Sequence, residues 1–252
     1  MRKLLTICYD GTAYCGWQVQ LNGITVQKTL QKALCSIICE ETGISGCSRT
    51  DSGVHANMFC CHFDTTSEIP NEKLVMALNA KLPRDIAATN CITVGDDFHA
   101  RYSCIGKNYI YKIYNAFVRN PFKEKYYLQK TGYIDERLLN EACKAFLGEH
   151  DFKSFCSAGS KITDTVRTVS ECSIVRNCDD LVFSITADGF LYNMVRIIVG
   201  TLFFVNDGKI SVSELPEIIN SCDRGKAGAT APPHGLYLNR VFYDFNIKTD
   251  FE

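Results

Sequence analysis

The sequence predicts an α+β protein made of two ferredoxin-like β-α-β-β-α-β lobes, joined through a mixed, mainly antiparallel sheet with a central cleft. Three observations predict it. Segments of strand and helix periodicity follow one another in that order twice. The 252 residues suffice for two such lobes, here divided as 1–105 and 106–252. An apolar fraction of 46% against 22% charged residues supplies a core and excludes wholesale disorder.

Each element has a local reason. Residues 4–9 form a short apolar strand stopped by the turn signal Asp10-Gly11-Thr12. Thr25 caps a helix with Val26, Leu30, Leu34 and Ile37/Ile38 at helical spacing, ending by Gly43. Residues 44–47 are extended, 48–56 form a polar loop, and 57–64 a strand with Phe59, Cys61 and Phe63 on one face. Pro70 opens a second helix through Leu74 and Leu78, and 86–94 is the next strand. In the second half 108–115 is a strand. Asp135 caps a helix through Leu138, Leu139, Ala142 and Phe146 that stops at Gly148. Residues 166–175 and 181–187 pair as strands, 190–205 is an apolar helix, 213–220 a short one, and 236–245 the closing strand. Residues 249–252 read as a loose tail.

The chain carries 27 Lys and Arg against 28 Asp and Glu, a net charge of −1. That average hides a local surplus. From Arg101 to Lys130 stand seven bases (Arg101, Lys107, Lys112, Arg119, Lys123, Lys125, Lys130), one acid, Glu124, and eight aromatic residues. Two readings fit this stretch: an RNA-contacting face that offers phosphate partners and stacking platforms together, or a solvated strand edge protected by lysines. The 14 cysteines are irregularly spaced, without an export signal, and read as reduced thiols of a cytoplasmic protein. His55, Cys60, Cys61 and His62 lack a C-x2-C pair, so no metal site is expected. Asn193 and Arg196 interrupt the stretch 190–205, which is too short to span a bilayer.

Tyr9-Asp10-Gly11-Thr12 has Cys8 where an aspartyl-phosphate phosphatase would need its nucleophilic carboxylate, which excludes that chemistry. The loop Arg49-Thr50-Asp51-Ser52-Gly53-Val54-His55-Ala56 is richer in functional side chains than a connection requires. Asp51 is a candidate nucleophile or general base and Arg49 a candidate phosphate contact; an ordinary Asx-turn explains the same residues without chemistry. An arginine at 196 inside so apolar a helix calls for an internal carboxylate partner.

The loop 49–56 resembles the G-R-T-D-A-G-V-H-A signature of the TruA family of tRNA pseudouridine synthases. Further segments resemble that family in the same order. Tyr9-Asp10-Gly11-Thr12 through Gly16-Trp17-Gln18 is similar to its opening. Phe98-His99-Ala100-Arg101-Tyr102-Ser103, leading to Lys107-Asn108-Tyr109-Ile110-Tyr111, is similar to its F-H-A-R-F-S…Y-x-Y segment. Gly189-Phe190-Leu191 with Met194-Val195-Arg196 and Ile198-Val199-Gly200-Thr201 resembles F-L-x-x-M-V-R-x-I-V-G, and residues 231–238 resemble the closing A-P-x-x-G-L-Y-L. Ser48 and Ser52 depart from the usual Gly and Ala.

The resemblance implies an isomerase that converts uridine to pseudouridine at positions 38–40 of the tRNA anticodon arm, working as a homodimer. Asp51 would be the nucleophile, attacking either C1′ of the ribose or C6 of the ring. Tyr109 would stack on the flipped uracil, and Arg196 would pair with Asp51 and keep it ionised. Arg49 would hold the flipped nucleotide or fill its vacancy. Arg101 and Lys107 are further candidates for binding the RNA, and His55 for stabilising the loop. The isomerisation has no net redox change and no group donor, so no cofactor is expected. A non-catalytic RNA-binding module with the same fold is the competing reading.

Overall fold

The structure, a computed structural model, describes residues 1–159 and 162–245. The tail expected at 249–252 lies outside the described residues. The chain divides into two compact units, Met1–Ile105 together with the segment from Tyr237 onward, and Gly106–Leu236.

The first unit runs β1 (Arg2–Tyr9), α1 (Val26–Ile38), β2 (Ser45–Gly46), β3 (His55–Asp64), α2 (Asn71–Lys81) and β4 (Ile86–Val94). The second runs β5 (Gly106–Tyr114), β6 (Leu128–Gln129), α3 (Glu136–Cys143), β7 (Gly148–Asp151), β8 (Val166–Asn177), β9 (Asp180–Ala187), α4 (Met194–Asn206) and α5 (Leu215–Asn220). The closing strand β10 (Leu236–Phe242) returns the chain to the first unit, although its position in sequence suggests the second. Both units mix helices with a mainly antiparallel sheet, the α+β class expected from the sequence.

In the first unit β1 is central, pairing antiparallel with both β3 and β4, which is why Leu4, Leu5 and Ile7 are all buried. β3 begins at His55, two residues earlier than its periodicity suggests, and buries Cys60 as well as Phe59, Cys61 and Phe63. The outer edge of β3 is shared. β2 pairs antiparallel with Cys61 and His62, while β10 pairs parallel with His55 and Ala56 through Tyr237 and Leu238. The Thr25 hydroxyl accepts the Lys28 N–H, and α1 buries Val26, Leu30, Leu34 and Ile38. It stops at Cys39 in the left-handed conformation, φ 56°, four residues before the glycine expected to end it.

In the second unit β9 lies between β5 and β8, antiparallel to both, and β7 extends the sheet beyond β8. Polar composition hid β7 from a hydrophobic-pattern reading. Asp135 caps α3 by accepting the N–H groups of Arg137 and Leu138. α4 starts at Met194, later than the expected 190, because Asn193 turns left-handed at φ 61°. From there Ile197, Ile198, Val199 and Leu202 are buried, so α4 is the core helix of its unit. No helix among the described residues is long and apolar enough to cross a membrane.

Candidate active site

The loop that carries Asp51 is held from beneath by the segment 9–17. Thr50 is buried, its Oγ1 2.9 Å from the Tyr9 hydroxyl, and its carbonyl accepts the Trp17 N–H at 3.2 Å. The Asp51 carbonyl accepts the Val54 N–H at 3.2 Å and closes a turn. On the other side of that turn, Gly53 N–H and Ser52 Oγ both donate to the Tyr14 carbonyl, at 3.3 and 3.2 Å. Ser52 thus adds a bond that the alanine usual at this position could not make. Asp51 itself is half-buried and Arg49 exposed.

Two glycines permit this approach. A Cβ on Gly11 would stand 2.0 Å from the Val54 carbonyl oxygen, and one on Gly16 2.3 Å from that of Thr50, where φ is also +80°. The Asp10-Gly11-Thr12 turn that follows β1 is the floor of the Asp51 loop.

His55 lies at the start of β3, where its Nδ1 accepts the Gly11 N–H at 3.1 Å and its ring stacks on Tyr237 at 4.6 Å. Asp10 Oδ1 is also 3.1 Å from Nδ1. A nitrogen that accepts from a backbone amide has no proton to offer there, so this approach is not an ion pair. His55 ties the loop to the strand below it.

Tyr109 and Arg196 belong to the second unit. Tyr109 sits opposite Ile185 in the β5–β9 ladder, only 6% exposed, with its ring 4.8 Å from Phe190 at an edge-on 75°. Phe190 is the residue missed from the sequence; its place in the Gly189-Phe190-Leu191 motif was the available signal. Arg196 lies in the first turn of α4 and is half-buried. Its Nε donates to the Ala231 carbonyl and one Nη to Asn193 Oδ1, both at 2.7 Å, while Ala231 N–H donates to the Arg196 carbonyl at 3.0 Å. The Met194–Arg196 and Ala231–Pro232 motifs are therefore one local structure, joined also by the Tyr111 hydroxyl, which donates to the Pro232 carbonyl at 2.8 Å.

The basic stretch is not one open face. Lys107 is buried, and burial pushes the half-buried Lys112 ammonium below its ordinary range. Lys123 pairs with Asp180, and Lys130 with Asp207 at 3.2 Å. Both acids lie outside residues 101–130. What remains outward in the second unit is Arg119 and Lys125 with Phe117 and Phe122, which are 90% and 88% exposed. Arg101, in the first unit, is exposed with its guanidinium 5.8 Å from the ring of Tyr102. Cys60 and Cys61 are fully buried and desolvation raises both thiols well above their usual range. Among the described residues no three His, Cys, Asp or Glu side chains gather as a metal would require.

A family model described as tRNA pseudouridine synthase matches residues 6–103 and 142–244. The chain is 47% identical to tRNA pseudouridine synthase A of Clostridium acetobutylicum over 95% of this chain and 98% of that protein. It is 46% identical to tRNA pseudouridine synthase A 2 of Clostridium perfringens (96% and 100%) and 42% identical to the Staphylococcus aureus tRNA pseudouridine synthase A (100% and 94%). Among solved structures, a chain of a Cbf5-Nop10-Gar1 complex is similar with a TM-score of 0.39 at 10% identity, over 95% of this chain and 59% of that one. The chain is an RNA-modifying isomerase by family. It belongs to the tRNA pseudouridine synthases.

Proposed function

We propose that this protein isomerises uridine to pseudouridine in tRNA, at positions 38–40 of the anticodon arm, with Asp51 as the nucleophile. The observation that carries the reading is the Asp51 loop: a signature carboxylate, half-buried, on a turn whose backbone is bonded on both flanks. A carboxylate suits the reaction because it can add to the nucleoside and then leave. A held backbone supports it because a nucleophile acts from a near-attack position. Tyr109 packs on the flipped base, Arg196 is the cation that serves the aspartate, and the exposed Arg49 and Arg101 are RNA-binding residues. The protein works as a cytoplasmic homodimer without cofactor.

The test is to map pseudouridine in tRNA transcripts treated with the pure protein, alongside tritium release from 5-tritiated uridine. Pseudouridine at positions 38–40 is expected. Conversion elsewhere would overturn the position, and binding without conversion would favour the non-catalytic RNA-binding module.

A further inference from the structure

We infer that the groove between α1 and α2 is a second contact surface for the RNA backbone, extending the footprint beyond the hairpin that holds the target uridine. The inference rests on the proposed tRNA substrate. The groove encloses about 540 Å³ and is lined by Lys28, Lys32 and Lys81 with Ile24, Ser36 and Pro83; no carboxylate and no residue of the Asp51 loop lines it.

Three features set it apart from a solvated lysine face. Helix α1 contains no acidic residue, and its two lysines stand four apart, a like-charge spacing that weakens a helix. Lys81, in the last turn of α2, donates to Ser36 Oγ at 3.0 Å, and that hydroxyl donates to the Ala33 carbonyl at 2.7 Å. The third cation is thereby fixed against the helix that carries the other two. Among the described residues none of these three lysines is in an ion pair, whereas Lys123, Lys130, Lys144 and Lys226 each hold an acid. In a chain of net charge −1 an acid-free groove with three cations is a local arrangement. It complements a polyanion with regularly spaced charges, which for this family is the phosphodiester backbone.

Filter binding of full-length tRNA and of a short stem-loop carrying only the target uridine tests it, comparing wild type with the K28Q/K32Q/K81Q and K28R/K32R/K81R variants. The glutamine variant is expected to bind full-length tRNA about tenfold more weakly near 0.1 M salt, with the logarithmic salt slope shallower by about 2–3. Its affinity for the stem-loop should change less than twofold, and the arginine variant should bind tRNA as wild type does. Unchanged tRNA affinity and slope in the glutamine variant, beside a wild type that binds and isomerises tRNA, would overturn the inference alone. Lost self-association with unchanged tRNA binding would overturn it in favour of a protein partner. A wild type that neither binds nor isomerises tRNA would overturn the functional reading beneath it.

Discussion

Gly16 passes so close to Thr50 that a β-carbon would lie 2.3 Å from the Thr50 carbonyl oxygen, with the backbone at φ +80°. The Gly16-Trp17 segment and the Asp51 loop are thus two sides of one packed backbone contact, and neither can move without the other.

Gly16→Ala therefore has no relaxed solution. The clash is with backbone, so the loop must shift, at a cost of about 1–3 kcal/mol. Tritium release should fall more than the fraction unfolded accounts for, as judged by urea denaturation of the same sample. Wild-type stability together with wild-type release would show that the contact has no bearing on Asp51.

Asp51→Asn removes the proposed nucleophile and keeps the side-chain shape. Release is expected to drop at least about 1,000-fold, with tRNA affinity within threefold of wild type. Because Asp51 is only half-buried, the thermal midpoint should hardly move. Release at the wild-type rate would remove Asp51 from the mechanism.

Phe190 positions the ring of Tyr109. Phe190→Ala takes away an edge-on contact at 4.8 Å, and should lower kcat about tenfold with a smaller change in KM and a stability loss of about 1–2 kcal/mol. Phe190→Tyr, which restores a ring, should recover most of the rate. A variant that loses stability yet keeps kcat would assign Phe190 to the core alone.

His62 makes stability fall on the acid side. Burial, then the charges of His99 and Arg2, hold its imidazole neutral down to about 4 from an ordinary 6.5, and its Nδ1 accepts the Ala100 N–H at 3.1 Å. The unfolded chain takes up this proton first as pH falls. The contribution is therefore full above pH 6.5 and is lost between 6.5 and 4. Urea midpoints measured from pH 7 to 4 should show this loss, and His62→Gln should flatten it. An equal slope in both proteins would assign the acid sensitivity to other groups.

Much of the fold was legible because its signals are local. The caps at Thr25 and Asp135, the apolar spacing of α1 and the run in β1 depend on neighbours within a turn or on a strand's own pattern. Where the reading slipped, a backbone event or a distant partner had intervened. Asn193 at φ 61° delayed α4, and polar β7 is a strand only because β8 lies beside it.

The sequence by itself determined the α+β alternation, the family signature and the identity of Asp51, Tyr109 and Arg196 as candidates, since these are matters of residue type and order. Only the tertiary structure decided what each rests on. The loop under Asp51 is held by carbonyl and amide groups of Tyr14 and Trp17, which any residue carries and no composition reveals. The basic stretch loses Lys123 and Lys130 to Asp180 and Asp207, acids remote in sequence that folding brings within ion-pair range.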